Sequence, residues 1–237
     1  MDNAIYAALT RQSGLMREMR TVANNIANAE TTGFRREGVV FSEHLTSLDR
    51  RGETLSMANA RGREIDLRPA SLTGTGGTWD MGLESDGFFM VATPEGNRLT
   101  RAGAFMPSAD GQIVNGDGHA LLDDGQAPIA VPPGASNIAI GPDGTVSADG
   151  EPLARVGIFA PGPPEQMRHD GGTLFAAEGA EPLPEATLRQ GFLESSNVDP
   201  VLEIARMVEV QRAYELGQSF LDAEDRRIRA AISALTS

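Results

Sequence analysis

Apolar residues recur at alternating steps of four and three along the first thirty positions, through Ile5, Leu9, Gln12, Met16, Met19, Ala23 and Ile26, with one polar interruption at Gln12. Residues three or four apart share one side of a helix, so this alternation predicts a helix committed to packing one face against another helix. The alternation returns at the other end through Met207, Val210, Tyr214, Gly217, Leu221, Glu224, Ile228, Ala231 and Leu235, weakened by Gly217 and Glu224. A second seam, Val201, Ile204, Val208 and Gln211, begins on a neighbouring face. At 1.5 Å per residue, helices over about 2–29 and 200–235 would run ~42 and ~54 Å, so they could lie side by side. Small residues such as Ala4, Ala7, Ala8, Ser13 and Gly14 keep the first helix slim and would let further helices approach closely.

Between these ends the period changes to two. Short β-rich runs occur at 87–93 (GFFMVAT), 98–103, 112–115, 119–122, 137–140, 145–148 and 153–160, separated by Asp-Gly pairs that begin at 86, 110, 117, 124, 143, 149 and 170. Asp-Gly supplies the positive φ of tight hairpins, which predicts an antiparallel meander or distorted barrel. Proline and glycine agree, because 12 of the 14 prolines lie between Pro94 and Pro184, and residues 1–32 and 201–237 hold only Gly14 and Gly217. Residues 45–68 have few large apolar side chains and no clear period, and read as an extended linker or solvated arm.

The expected fold class is therefore α+β, with N- and C-terminal helices pairing as a coiled-coil-like unit around a central antiparallel β domain. Its expected parts are an N-terminal helix and turn (1–36), an extended linker or arm (37–78), the β domain (79–192) and a C-terminal helix packing on the first (193–237).

Charge and chemistry narrow the function. A net charge of −13 and an isoelectric point near 4.6 argue against nucleic acid as a partner. No apolar stretch approaches the ~20 residues that span a bilayer, so no membrane insertion is expected, and no basic region followed by an apolar segment marks a cleaved signal. The absence of cysteine removes disulfides, thiolate catalysis and Cys-based metal sites. His44, His119 and His169 are far apart, the Asp-rich turns fit no calcium-loop spacing, and neither a nucleophile elbow nor a phosphate-binding loop occurs. The residues thus point to no enzyme, and to no catalytic, cofactor or metal site.

Two segments carry the remaining information. NNIANAETTGFRR (24–36) reads physically as a helix stop in amide-rich turns, with Gly33 left-handed and Phe34 an anchor beyond it. SSNVDPVLEIARMVEVQRAYELGQSFLDAED (195–225) opens the C-terminal helix. The first resembles the N-terminal signature of the flagellar basal-body rod and hook family, through Asn24, Asn25, Ile26, Ala27, Asn28, Thr31, Gly33, Phe34 and Arg35. The second is similar to that family's C-terminal signature, SNV followed by an apolar helix carrying QRAYE, and residues 86–122 resemble the middle domain of its longer members. The opening MDNAIYAALTRQ and the compact length are most like the proximal-rod members. One departure stands out: Arg226, Arg227 and Arg229 replace the family's apolar finish.

The resemblance implies a structural rod subunit, part of a tubular drive shaft that transmits torque around an open export channel. Assembly residues implied are Ile5, Leu9, Met16, Met19, Asn24, Asn25, Ile26, Asn28, Thr31, Gly33 and Phe34 at the first end. At the second they are Asn197, Val198, Met207, Gln211, Arg212, Tyr214 and Leu221. Implied partners are the short proximal-rod proteins, the distal-rod protein and the flagellar type III export apparatus, with a monomer before assembly and a periplasmic rod as destination. On this reading Gly33 sets the angle between terminal helix and outer domain, and its replacement should leave the β core intact.

Overall fold

The computed structural model describes residues 2–47, 54–163 and 167–236. They form an α+β chain of two compact units, one of Met1–Ala27, Glu37–Glu64 and Asp199–Ser237, the other of Asn28–Arg36 and Ile65–Val198.

The first unit contains helices α1 (Asp2–Ala27) and α2 (Pro200–Thr236), which pack on one another. Helix α2 starts where the sequence supplies a cap: Asp199 Oδ1 accepts from the backbone N–H groups of Val201 and Leu202, and Pro200 occupies the first helical position, where no N–H is needed. Its face of Met207, Val210, Tyr214, Gly217, Leu221, Glu224 and Ile228 is buried or half-buried, following the first predicted seam until Ala231 and Leu235, which are exposed. The second seam, Val201, Ile204, Val208 and Gln211, faces solvent throughout.

On α1 the buried side differs from the predicted one. Gln12, Leu15, Glu18, Val22 and Asn25 are buried and Met19 and Ile26 half-buried, whereas Leu9, Met16 and Ala23 are exposed. Gln12, Leu15, Met19, Val22 and Ile26 also step by three and four, so two registers share the same periodicity and pattern alone does not separate them. In the stretch expected to be an extended linker or arm, the described residues of 37–65 are extended and regularly paired. Strands β1 (Glu37–Ser47) and β2 (Thr54–Ile65) pair as a two-stranded sheet. A ladder is held by backbone groups, so it needs no apolar run to announce it.

The second unit is built from β3 (Leu72–Gly74), β4 (Met81–Leu83), β5 (Phe88–Thr93), β6 (Gly96–Thr100), β7 (Phe105–Pro107), β8 (Ile113–Asn115) and β9 (Ala120–Leu121). It continues with β10 (Ile138–Ile140), β11 (Thr145–Ala148), β12 (Glu151–Arg155), β13 (Ile158–Ala160), β14 (Leu174–Ala176), β15 (Glu181–Pro182), β16 (Leu188–Gln190) and β17 (Phe192–Glu194). The main sheet runs β14-β6-β5-β9-β8-β7, extended by β13 on β5 and β15 on β13, beside a three-stranded sheet β10-β11-β12 and the pairs β16-β4 and β17-β3.

The GFFMVAT run becomes β5, buried on both faces. Phe89 and Val91 join Met81, Phe105, Ile113 and Leu121 in one core, while Phe88 and Met90 join Leu99, Phe159 and Phe175 in another. Alternation of side chains along a strand is what lets one short segment serve two cores. The hairpin between β11 and β12 turns on Asp149 (φ 52°) and Gly150 (φ 90°), the double positive φ that a two-residue loop requires. At Asp124-Gly125 the positive φ falls instead on Gln126.

Candidate assembly site

Each unit builds its own junction from the signature residues. In the helical unit, Asn25 is completely buried near the end of α1. Its Nδ2 donates to the carbonyl of Glu37 at 2.8 Å, and its Oδ1 accepts from the Glu37 N–H at 3.0 Å, so the amide pairs with that residue as a neighbouring strand would. The same Nδ2 lies 3.1 Å from Oε2 of Glu203, buried in the first turn of α2. A carboxylate there also faces the positive end of the helix dipole. One asparagine thus ties α1, β1 and α2 together. Asn24, its neighbour, is exposed.

In the β unit the turn after α1 begins with Thr31, whose N–H donates to the Asn28 carbonyl at 3.1 Å and whose hydroxyl donates to Asn28 Oδ1 at 3.2 Å. Gly33 follows with φ of 71°, and its N–H donates to the Glu194 carbonyl at 2.8 Å. A Cβ on Gly33 would lie 2.2 Å from the Ala102 nitrogen and 2.4 Å from the Arg101 carbonyl carbon. The left-handed conformation expected from the sequence is present, but the glycine is pressed onto the β core's own backbone. Its replacement therefore strikes that core, contrary to the expectation that the core would be spared. Phe34 beyond it is buried and stacks on His169 with centroids 5.2 Å apart.

Arg35 is fully buried and donates through Nη2 to Glu194 Oε1 at 2.6 Å. Arg101, equally hidden, brings Nε to 3.3 Å from Glu194 Oε2 and donates from Nη1 to the Ser85 carbonyl at 3.0 Å. Glu194 Oε1 further accepts from the Ala70 N–H at 2.8 Å. Desolvation pushes the Arg101 guanidinium down to about 10; the Glu194 carboxylate opposes that shift and the Arg35 cation adds to it. Arg101 nevertheless keeps its charge at neutral pH, so two cations surround one carboxylate. Asn197 completes the junction, its Oδ1 accepting from the Arg36 N–H at 2.6 Å and its Nδ2 donating to the carbonyls of Asp66 (2.8 Å) and Arg68 (3.1 Å).

Of the other expected assembly residues, Val198 is buried, and Met207, Tyr214 and Leu221 are half-buried on the packed side of α2. Gln211 and Arg212 are exposed. Ile5 belongs to α1, but its side chain, like that of His44, lies outside the described residues. Sequence reasoning missed Arg101, His169, Glu194 and Glu203 as members of these junctions. The available signal was a lone acid closing an apolar run at GFLE (191–194), and an arginine opening a segment otherwise poor in cations. Among the described residues no His, Asp and Glu cluster is arranged to hold a metal, and no helix is long and apolar enough to cross a membrane.

Helical ends, a β body and signature residues engaged in clamping each of them define a structural protein. The comparisons with known proteins agree. Residues 5–35 match the family model described as flagella basal body rod protein, residues 82–148 the flagellar hook protein FlgE/F/G D1 domain, and residues 189–234 the flagellar basal body rod FlgEFG protein C-terminal. The chain is 35% identical to the flagellar basal-body rod protein FlgF of Caulobacter vibrioides, over 99% of this chain and 98% of the relative. It is 33% identical to FlgF of Mesorhizobium japonicum (91% and 90% covered) and 27% identical to FlgG of Bacillus subtilis (98% and 99%). The chain belongs to the flagellar basal-body rod protein family, a structural class and not an enzyme class.

Proposed function

We propose that this chain is a structural subunit of the proximal part of the flagellar rod, passing torque through contacts between subunits while leaving a central channel open. The observation that carries the reading is the apolar surface of the helical unit. Val201, Leu202, Ile204, Val208, Leu216, Phe220, Ile232 and Leu235 of α2, with Leu9 and Met16 of α1, are exposed. So much apolar side chain on two helices is an interface that the single chain does not fill. The helices pair in the manner of a coiled coil within a subunit, and their outer stripes meet those of neighbouring rod subunits, both the short proximal-rod proteins and the distal-rod protein. The proximal assignment is favoured by greater identity to relatives named FlgF, at 35% and 33%, than to the FlgG relative at 27%.

Before assembly the subunit is a monomer, exported by the flagellar type III apparatus without a cleaved signal and delivered to the periplasm. The absence of cysteine suits a chain that does not depend on oxidation there. The test is Leu216→Asp, which alters a side chain 71% exposed. The purified variant should melt as the wild type does, yet be missing from purified basal bodies and leave cells non-motile. Normal swimming with the variant present in basal bodies would refute the interface.

A further inference from the structure

Helix α2 offers α1 more than one apolar stripe. Met207, Val210 and Leu221 lie on the side that α1 covers, and Val201, Ile204 and Val208 on one it does not. Hydrophobic burial is non-directional, so apolar area alone does not choose between stripes or fix the register along either. What distinguishes the observed pairing is polar. Gln12, buried in the α1 seam, donates from Nε2 to the Tyr214 carbonyl at 3.1 Å. That amide occupies a notch made by Gly217, where a Cβ would lie 2.7 Å from Nε2 and 3.3 Å from Cδ. The arrangement is not optimised for stability, because Gln12 Oε1 is buried and accepts no hydrogen bond among the described residues. Away from this level, buried Glu18 accepts from Arg206 Nε at 2.7 Å, in the same register.

We infer that Gln12 and Gly217 are specificity-determining residues, a side chain and its notch that select which face and register of α2 pairs with α1. A polar residue in an apolar helix seam sets alignment at a cost in stability, because other alignments bury its amide without a partner, and the contacts of Glu18 with Arg206 and of Asn25 with Glu203 favour the same register. Resting on the assembly reading above, the inference adds what the choice accomplishes: it leaves the Val201, Ile204 and Val208 stripe outward for a neighbouring subunit.

The full chain has no cysteine, so spin labels can be placed at Arg20→Cys and Glu215→Cys, one exposed site on each helix, and their separation read by double electron–electron resonance. The labelled parent should give one narrow distance. Gln12→Leu should melt at the same temperature or higher while the distance broadens or splits, a slip of one helical turn moving a label by about 5.4 Å. Gly217→Ala should broaden it by expelling the amide. The inference is overturned if both variants keep the parent's single distance, if the parent itself is broad, or if Gln12→Leu lowers the melting temperature and the contact proves merely stabilising. These measurements use the isolated chain, so failure of the lock leaves the Leu216→Asp result intact, and failure of the rod reading leaves the distances intact.

Discussion

In the β unit two arginines and a glutamate are hidden completely among aromatic and aliphatic side chains, while in the helical unit eight large apolar side chains of α2 face solvent. Both depart from the usual sorting of polar outside and apolar inside, in opposite directions. Buried charge is costly to leave uncompensated, so the β unit is intolerant of losing the one carboxylate that its two hidden guanidinium groups share. Exposed apolar surface is stable only until something covers it, so the helical unit is open-ended by construction. The difference teaches that one chain can keep a finished core and an unfinished surface in separate units, with signature residues fastening both.

The comparison breaks most easily at Glu194. Glu194→Gln leaves two buried guanidinium groups without a counter-charge, and chemical denaturation should show about 3–5 kcal/mol lost from the β unit; a loss below about 1 kcal/mol would mean that the charges are not mutually held. Next is Gly33→Val, where a β-branched residue at positive φ costs on the order of 1–3 kcal/mol before its overlap with the Ala102 backbone is added. Its melting transition should fall in the β signal, and a loss confined to helical signal would reverse the assignment. In the helical unit Asn25→Ala should cost roughly 1–3 kcal/mol by removing the two hydrogen bonds that the buried amide makes to the Glu37 backbone, and increased hydrogen exchange at Glu37 would report it directly.

The smallest effect sharpens the contrast between buried and exposed charge. Hydrogen bonding to Arg68 holds the Asp66 carboxyl below its usual value of 3.8. A depressed carboxyl contributes stability above that value and loses it as pH falls through the lowered one. Arg68 is largely exposed, so Arg68→Ala should lower stability only slightly at neutral pH and not at all once the pH has fallen below the lowered Asp66 value, and an equal loss at neutral and acid pH would contradict the titration.

How much of this was legible in the sequence follows from how local each signal is. Helical ends and a β middle could be read because glycine and proline act where they stand, and turns such as Asp149-Gly150 follow from two adjacent residues. The exposed second seam of α2 could likewise be read from its spacing. The buried face of α1 could not, because Leu9 and Met16 satisfy the same alternation as Leu15 and Val22. Strands β1 and β2 were hidden because their ladder is a property of backbone. The ion cluster was hidden more deeply, since Arg35 resembles any surface arginine until the residue 159 positions away is brought beside it.

That separation also sets an order of events. A chain that emerges N-terminus first has Arg35 and Arg101 available long before Glu194, and until the last strand arrives those two cations have no reason to leave water. Contacts so distant along the chain slow closure, because the entropy of the intervening loop must be lost before the contact returns anything. Closure of the buried ion cluster is thereby timed: it waits until β17 is in hand.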